Sequence, residues 1–162
     1  MAFEFYVTVE GTKQGKFKGE GMKDKHREKI AGLAFEYGVV SPRDLASGQA
    51  SGKRQHHPIK ITKEWGASTP QLFTACTTNE VLKEVHFEFW KTDANGEETV
   101  FYTVKLTNAS VSHIAQFTSP HEGSGGAKSE PTKYLESIEF TFQKIEIESK
   151  TGKTSAMDDW HK

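Results

Sequence analysis

Lys53-Arg54-Gln55-His56-His57 is the densest run of chemistry-bearing side chains in this sequence. Two cations followed by two imidazoles can hold a phosphate or a carboxylate, and Lys60, Lys63 and Trp65 extend the run. A single-strand nucleic-acid platform interleaves basic and aromatic residues on one sheet face. Only one aromatic follows here, and the formal net charge of the 162-residue chain is −1. No global field therefore draws the protein to nucleic acid or to an anionic membrane. The run reads instead as a charged patch that meets an acidic patch on a neighbouring subunit. Glu97-Glu98, Glu146 with Glu148, and Asp158-Asp159 are the candidate acidic counterparts.

The other constellations are weaker. Seven His invite a metal site, but His56 and His57 are adjacent and on a strand face opposite ways. His26, His86, His113, His121 and His161 are scattered, and surface or interface positions are expected for them. There is no HExxH, and a single cysteine, Cys76, rules out a Cys-based zinc site, so no metal and no cofactor are expected. Gly125-Gly126-Ala127-Lys128-Ser129 and Thr151-Gly152-Lys153-Thr154 resemble phosphate loops only at their ends, and neither lies between a strand and a following helix. No GxSxG occurs, and His113 beside Ser110 and Ser112 is proximity within a strand. The chain is not read as an enzyme.

Period-2 alternation dominates and predicts a mainly β fold. The inward sets are Phe3, Phe5, Val7, Val9; Leu33, Phe35, Tyr37, Val39; Ile59, Ile61; Val85, Phe87, Phe89; Val100, Tyr102, Val104, Leu106; Val111, His113, Ala115, Phe117; and Ile138, Phe140, Phe142. After Phe142 the phase changes to Ile145 and Ile147, as at a bulge or at a bend between sheets. Asp93-Ala94-Asn95-Gly96 predicts a hairpin joining 84–92 to 98–107. One helix is predicted from Pro70 to about Asn79. Ser68 or Thr69 caps it, Leu72, Phe73 and Cys76 form its apolar stripe, and Asn79 stops it.

Three segments lack apolar periodicity: Thr12–Lys29, with its charged run from Lys23 to Lys29; Ser41–Arg54; and the Gly/Ser-rich Ser119–Pro131. No repeat or inter-domain linker is visible, so residues 1–162 read as one domain. One cysteine excludes an internal disulfide and fits a reducing compartment. The start, MAFEFYVTVEG, alternates like a strand and lacks the basic and apolar regions of a secretory signal. No apolar run approaches the roughly 20 residues of a membrane span. Folding in the cytoplasm is expected, with no membrane insertion.

The stretch SGKRQHHPIKITKEW (51–65) followed by STPQLFTAC (68–76) resembles the Hcp family of type VI secretion systems. The strand-like start, the charged loop, the hairpin and the tail Met157-Asp158-Asp159-Trp160 agree, so the resemblance spans essentially the whole chain. It implies a small β-barrel of two antiparallel sheets with one flanking α-helix. It implies homo-hexameric rings that stack into a hollow tube, driven out of the bacterium by a contractile sheath behind a spike protein. Effector proteins can be carried or stabilised in the ring lumen.

Carried over, the family's extended inter-subunit arm falls at about 41–57. Its interface positions are Ser47, Gly48, Gln49, Ser51, Lys53, Arg54, Gln55, His56 and His57. Lumen-facing wall positions are expected at Ser110, Ser112 and Ile114, opposite Val111 and His113. The competing expectation is a monomeric barrel that binds a small ligand in a closed cavity.

Overall fold

The computed structural model describes residues 4–21, 26, 28–119 and 132–160. The strands are β1 (Glu4–Gly11), β2 (Gly15–Lys16), β3 (Ile30–Gly32), β4 (Ala34–Glu36), β5 (Val39–Val40), β6 (Gln55–His56), β7 (Ile59–Glu64), β8 (Leu82–Thr92), β9 (Glu98–Thr118), β10 (Tyr134–Thr141), β11 (Lys144–Ser149) and β12 (Thr154–Asp159). The helix α1 (Thr69–Thr77) lies between β7 and β8. Phe3, most of the 23–29 charged run, residues 120–131, His121, His161 and the first phosphate-loop candidate lie outside the described residues.

Two antiparallel sheets share β9. One runs β1–β8–β9–β11–β12, and the other runs β9–β10–β7–β4. The predicted hairpin is present as β8 and β9, with Trp90 opposite Val100 and Gly96 at positive φ in the turn. The short segment 30–36 bonds to β1 through β3 and to β7 through β4. It spans the gap between the two sheets, so the barrel is nearly but not fully closed.

The chain turns the barrel's corner twice at one place. β9 passes from the first sheet to the second at Asn108, which takes a positive φ of 50°. β10 hands over to β11 at Phe142-Gln143, making the return passage. The Asn108 side-chain amide donates to Gln143 Oε1, and Gln143 N–H reaches the carbonyls of Thr107 and Asn108. The phase change expected near Gln143 is therefore a change of sheet. The sets 98–107 and 111–117 are one continuous strand.

Phe5, Val7, Val9, Val85, Phe87, Val104, Leu106, Ile59, Ile61, Ile138, Phe140 and Ile145 fill the interior, and Leu72 and Ala75 of α1 close one end. That end also holds a buried ionic group. Lys63 and Glu136 are cross-strand partners on the core side, both with fully buried side chains, and Lys63 Nζ donates to Glu136 Oε1 at 2.5 Å. Glu20 lies 3.0 Å from the same Nζ, and the Thr69 hydroxyl donates to Glu136. The pair ties β7, β10, the helix start and the 17–21 loop together. Nearby, the buried carboxylate of Glu80 accepts the backbone N–H groups of Lys13 and Gln14. A Cβ on Gly11 would sit 2.0 Å from Glu80 Oε2, so a larger residue there would push this carboxylate off its bonds to Lys13 and Gln14.

Several local expectations are corrected. Leu33 and Val39 are exposed, because 30–40 is broken into three short pairings and not one alternating strand. Phe73 is exposed, and Ala75 takes its place on the buried stripe of the helix. Ser68 makes no side-chain cap; its hydroxyl donates to Glu20 instead. Asn79 does end the helical turn, at a positive φ of 52°. His26 is buried and stacks on Tyr6 at 3.9 Å, not at the surface as expected.

Candidate assembly surface

The aperiodic segment after β5 forms an arm that leaves the barrel and comes back. Its base is a two-residue pairing, Val39 with His56 and Val40 with Gln55, separate from both main sheets. Above it Arg43 bridges to Ala50, and Ser51 N–H reaches the carbonyl of Pro42. The tip is closed by Asp44. Its carboxylate accepts from Ala46 N–H and the Ser47 hydroxyl, each at 3.0 Å, and its carbonyl accepts from Gly48 N–H. The Ala46 bond, then the Ser47 bond, hold the Asp44 carboxyl below its ordinary range. Gly48 supplies the positive φ of 74° that the turn needs.

Every residue from 43 to 53 is exposed. Leu45 at the tip shows 104% relative exposure, as bare as a side chain can be. The arm is thus an ordered hairpin that contributes nothing to the core, and its most protruding side chain is apolar.

The base carries the polar chemistry. Arg54 Nε donates to Asp158 Oδ2, and Nη2 donates to the carbonyl of Asp159 at 2.7 Å. His56 Nε2 lies 2.6 Å from the same Asp158 oxygen, and its Nδ1 lies 2.7 Å from the Tyr37 hydroxyl. A neutral His56 satisfies both contacts, with Nε2–H donating to the carboxylate and Nδ1 accepting from the phenol. Burial, then the charge of Asp158, raises Tyr37 above its ordinary value, so its hydroxyl stays a donor. The Arg54 hydrogen bond, followed by that of His56, lowers Asp158 to about 2. Phe142 and Trp160 flank the His56 ring, with centroids at 5.3 and 5.1 Å.

The expected interface residues fall in two groups. Ser47, Gly48, Gln49, Ser51 and Lys53 are exposed along the arm, and Gln55 and His57 are exposed at its base. Arg54 and His56 are turned back onto the same chain's C-terminal strand. The run 53–57 is therefore not one outward patch, and for Arg54 the neighbouring-subunit counterpart is replaced by Asp158 in cis. Two of the other acidic candidates are engaged as well: Glu146 lies within 4.0 Å of Lys105 and Lys144, and Glu98 lies 3.7 Å from His26.

On β9, Ser110 is half-buried and Ser112 is exposed. The pairing slips between Glu139 and Phe140, so Val111 faces Phe140 while His113 faces Glu139, leaving Ser112 as the extra residue of a bulge. The bulge flips the faces beyond it. Ile114 packs against the core beside Ile138, contrary to the outward position expected for it, and His113 and Phe117 turn outward.

Among the described residues no cluster of three or more His, Cys, Asp or Glu is arranged to hold a metal. His113 pairs with Glu139 at 3.2 Å on an open sheet face, while the Ser112 hydroxyl donates to the Glu139 carbonyl and not to the imidazole. Thr151-Gly152-Lys153-Thr154 forms the turn between β11 and β12, with no helix after it. No described helix is long and apolar enough to cross a membrane.

Sequence reasoning missed Tyr37 and Trp160 as parts of the arm's base, and it placed Asp158, a candidate counterpart of the basic run, on a neighbouring subunit. Asp158 lies about a hundred positions from Arg54 and His56, Tyr37 lies 19 positions from His56 across the arm, and only the tail's composition, two acids beside a tryptophan, hinted at a contact.

A family model described as "Type VI secretion system effector, Hcp" matches residues 6–148. The "Major exported protein" of Pseudomonas aeruginosa is 31% identical over 99% of this chain and 96% of its own length. The crystal structure of an Hcp protein matches with a TM-score of 0.88 at 27% identity, covering 99% of each chain. Hcp1 of E. coli EAEC 042 matches at 0.84 and 27% identity, over 98% of this chain and 99% of its own. The secreted protein Hcp3 of Pseudomonas aeruginosa matches at 0.79 and 26% identity, with the same coverage.

Proposed function

The chain belongs to the Hcp family of type VI secretion proteins, and from that membership we propose that it is a structural subunit of the secretion tube. Six copies close a ring, rings stack into a hollow tube, and contraction of the sheath drives the tube with its spike out of the cell. Effector proteins ride in the ring lumen. The subunit folds in the bacterial cytoplasm and is exported from there by the secretion system.

The observation that carries this reading is the arm. An ordered hairpin with Leu45 bare at its tip buries nothing within the chain, so its apolar surface is worth burying on another copy. Ser47, Gly48, Gln49, Ser51, Lys53, Gln55 and His57 are the residues assigned to that contact, and Arg54 and His56 support it from the base. β12 adds a second motive for assembly, because among the described residues it pairs as a strand with β11 alone, and its other edge offers unpaired backbone to a further strand. Ser110 and Ser112 are assigned to the lumen wall.

The filled interior weighs against a ligand-binding monomer. Ile59, Ile61, Phe87, Ile138 and Phe140 occupy the space where a ligand cavity would lie. A groove of about 540 Å³ opens on the outer face of the first sheet and is lined by charged residues, including Lys105 and Glu146.

The direct test is export. A tagged chain produced in a bacterium with an active type VI system should appear outside the cell, and it should stay inside when the sheath is disabled. Equal release from both strains would contradict the proposal.

A further inference from the structure

The arm's direction has to be set at its base. Residues 43–53 touch no core, and a two-residue strand pairing is marginal by itself. Three of the polar contacts that join this base to the body fall on one short stretch, the end of β12, beside the Tyr37 hydroxyl and the Phe142 ring. Arg54 reaches both the carboxylate of Asp158 and the carbonyl of Asp159, a two-pronged contact from one rigid guanidinium. His56, whose side chain is 4% exposed, uses one ring nitrogen on Asp158 and the other on Tyr37. Trp160 covers the His56 ring and is itself held by a backbone bond from its N–H to the Gln143 carbonyl. Asp158 thus receives Arg54 and His56, the two side chains of the returning stretch that turn inward.

We infer that the C-terminal strand is the anchor that fixes the arm in its projecting direction, with Asp158 as the positioning residue that Arg54 and His56 share. Releasing Asp158 lets the arm swing while the barrel stays folded. The surface that the arm offers to another copy is then no longer preset, and forming the same contact must also pay the entropy of ordering it. This consequence for assembly rests on the reading of the arm as an inter-subunit surface; the anchor itself does not.

The test is amide hydrogen exchange on the full chain, comparing wild type with Asp158→Ala, Asp158→Asn and Arg54→Ala. In Asp158→Ala the amides of 39–57 should exchange about tenfold faster or more, with β8 and β10 unchanged. Asp158→Asn keeps the volume and one acceptor, so it serves if the alanine variant fails to fold and should lie between the two. The double variant Arg54→Ala/Asp158→Ala should fall short of the sum of the two single effects, because both remove the shared Arg54–Asp158 contact, while the Asp159 bond is lost only with Arg54. Unchanged exchange in the arm of either Asp158 variant would overturn the anchor, as would fully additive effects in the double variant.

Solution mass on the same samples separates the two readings. A loosened arm with unaltered assembly supports the anchor and contradicts the arm's role between subunits. Unaltered exchange with lost assembly does the reverse.

Discussion

The barrel and the arm belong to one chain but are held by opposite means. The barrel rests on more than a dozen apolar side chains with almost no exposure, sealed at one end by the buried Lys63–Glu136 pair. The arm has no core. Its tip is a turn built on Asp44, and its base is fastened by Arg54 and His56 to Asp158. The barrel's sequence serves its own fold. The arm's sequence keeps a shape whose surface has no use inside the chain, which is what a contact element looks like before its partner arrives.

The contrast can be broken most forcefully from the barrel side. Phe87→Ala removes a fully buried ring between the sheets and should cost about 3–5 kcal/mol in urea denaturation. A loss below 1 kcal/mol would mean that the core is not continuous there. Lys63→Ala leaves Glu136 and Glu20 facing each other without their cation and should cost a comparable 3–5 kcal/mol or so. Stability unchanged by that substitution would remove the pair from the account of how α1 and β10 are joined.

Arm variants should behave differently. Deleting Ala46 to Ser51, or replacing Leu45 with Ser, should leave stability within about 1 kcal/mol of wild type while impairing assembly. A circular dichroism spectrum showing an unfolded chain would place the arm inside the folding unit after all. Lys53→Glu should weaken assembly more at low salt than at high salt, since exposed charges are screened over about 8 Å at physiological ionic strength. Salt-independent assembly of that variant would make Lys53 a solvated bystander.

The smallest expected effect is on pH dependence. Asp158 sits at about 2, below its ordinary 3.8, and its ionised form is the one Arg54 and His56 bind. A depressed carboxyl stabilises the fold while ionised, so its contribution is complete above pH of about 4 and fades as the pH falls toward 2. Nuclear magnetic resonance signals of the 39–57 amides should shift over that range. Signals that stay fixed there, with the barrel intact, would show that the charge of Asp158 is not what holds the arm.

Much of the barrel was legible because its signals are local. The Asn95-Gly96 turn, the alternation of Val85 and Phe87, and the phase change after Phe142 each announce themselves within a few residues. The aperiodic arm and the stretch running into the helix were legible in the same way. Contacts set by distant partners were not. The bulge at Ser112 depends on how β10 pairs with β9, so alternation alone put Ile114 on the wrong face. Leu33 and Val39 looked inward because nothing local says that 30–40 divides its pairing among three partners. The basic run looked like one patch because the partner of Arg54 lies 104 residues away. Asn108 did leave a trace, since apolar positions shift from Val104 and Leu106 to Ala109 and Val111 across it.

The most direct measurement is solution mass by light scattering during size-exclusion chromatography, run on the wild type and on the chain lacking Ala46 to Ser51. A tube subunit should give a species of about six times the 18.1 kDa chain, and the deletion should shift it toward single folded chains. A wild type that stays monomeric at high concentration would contradict the account.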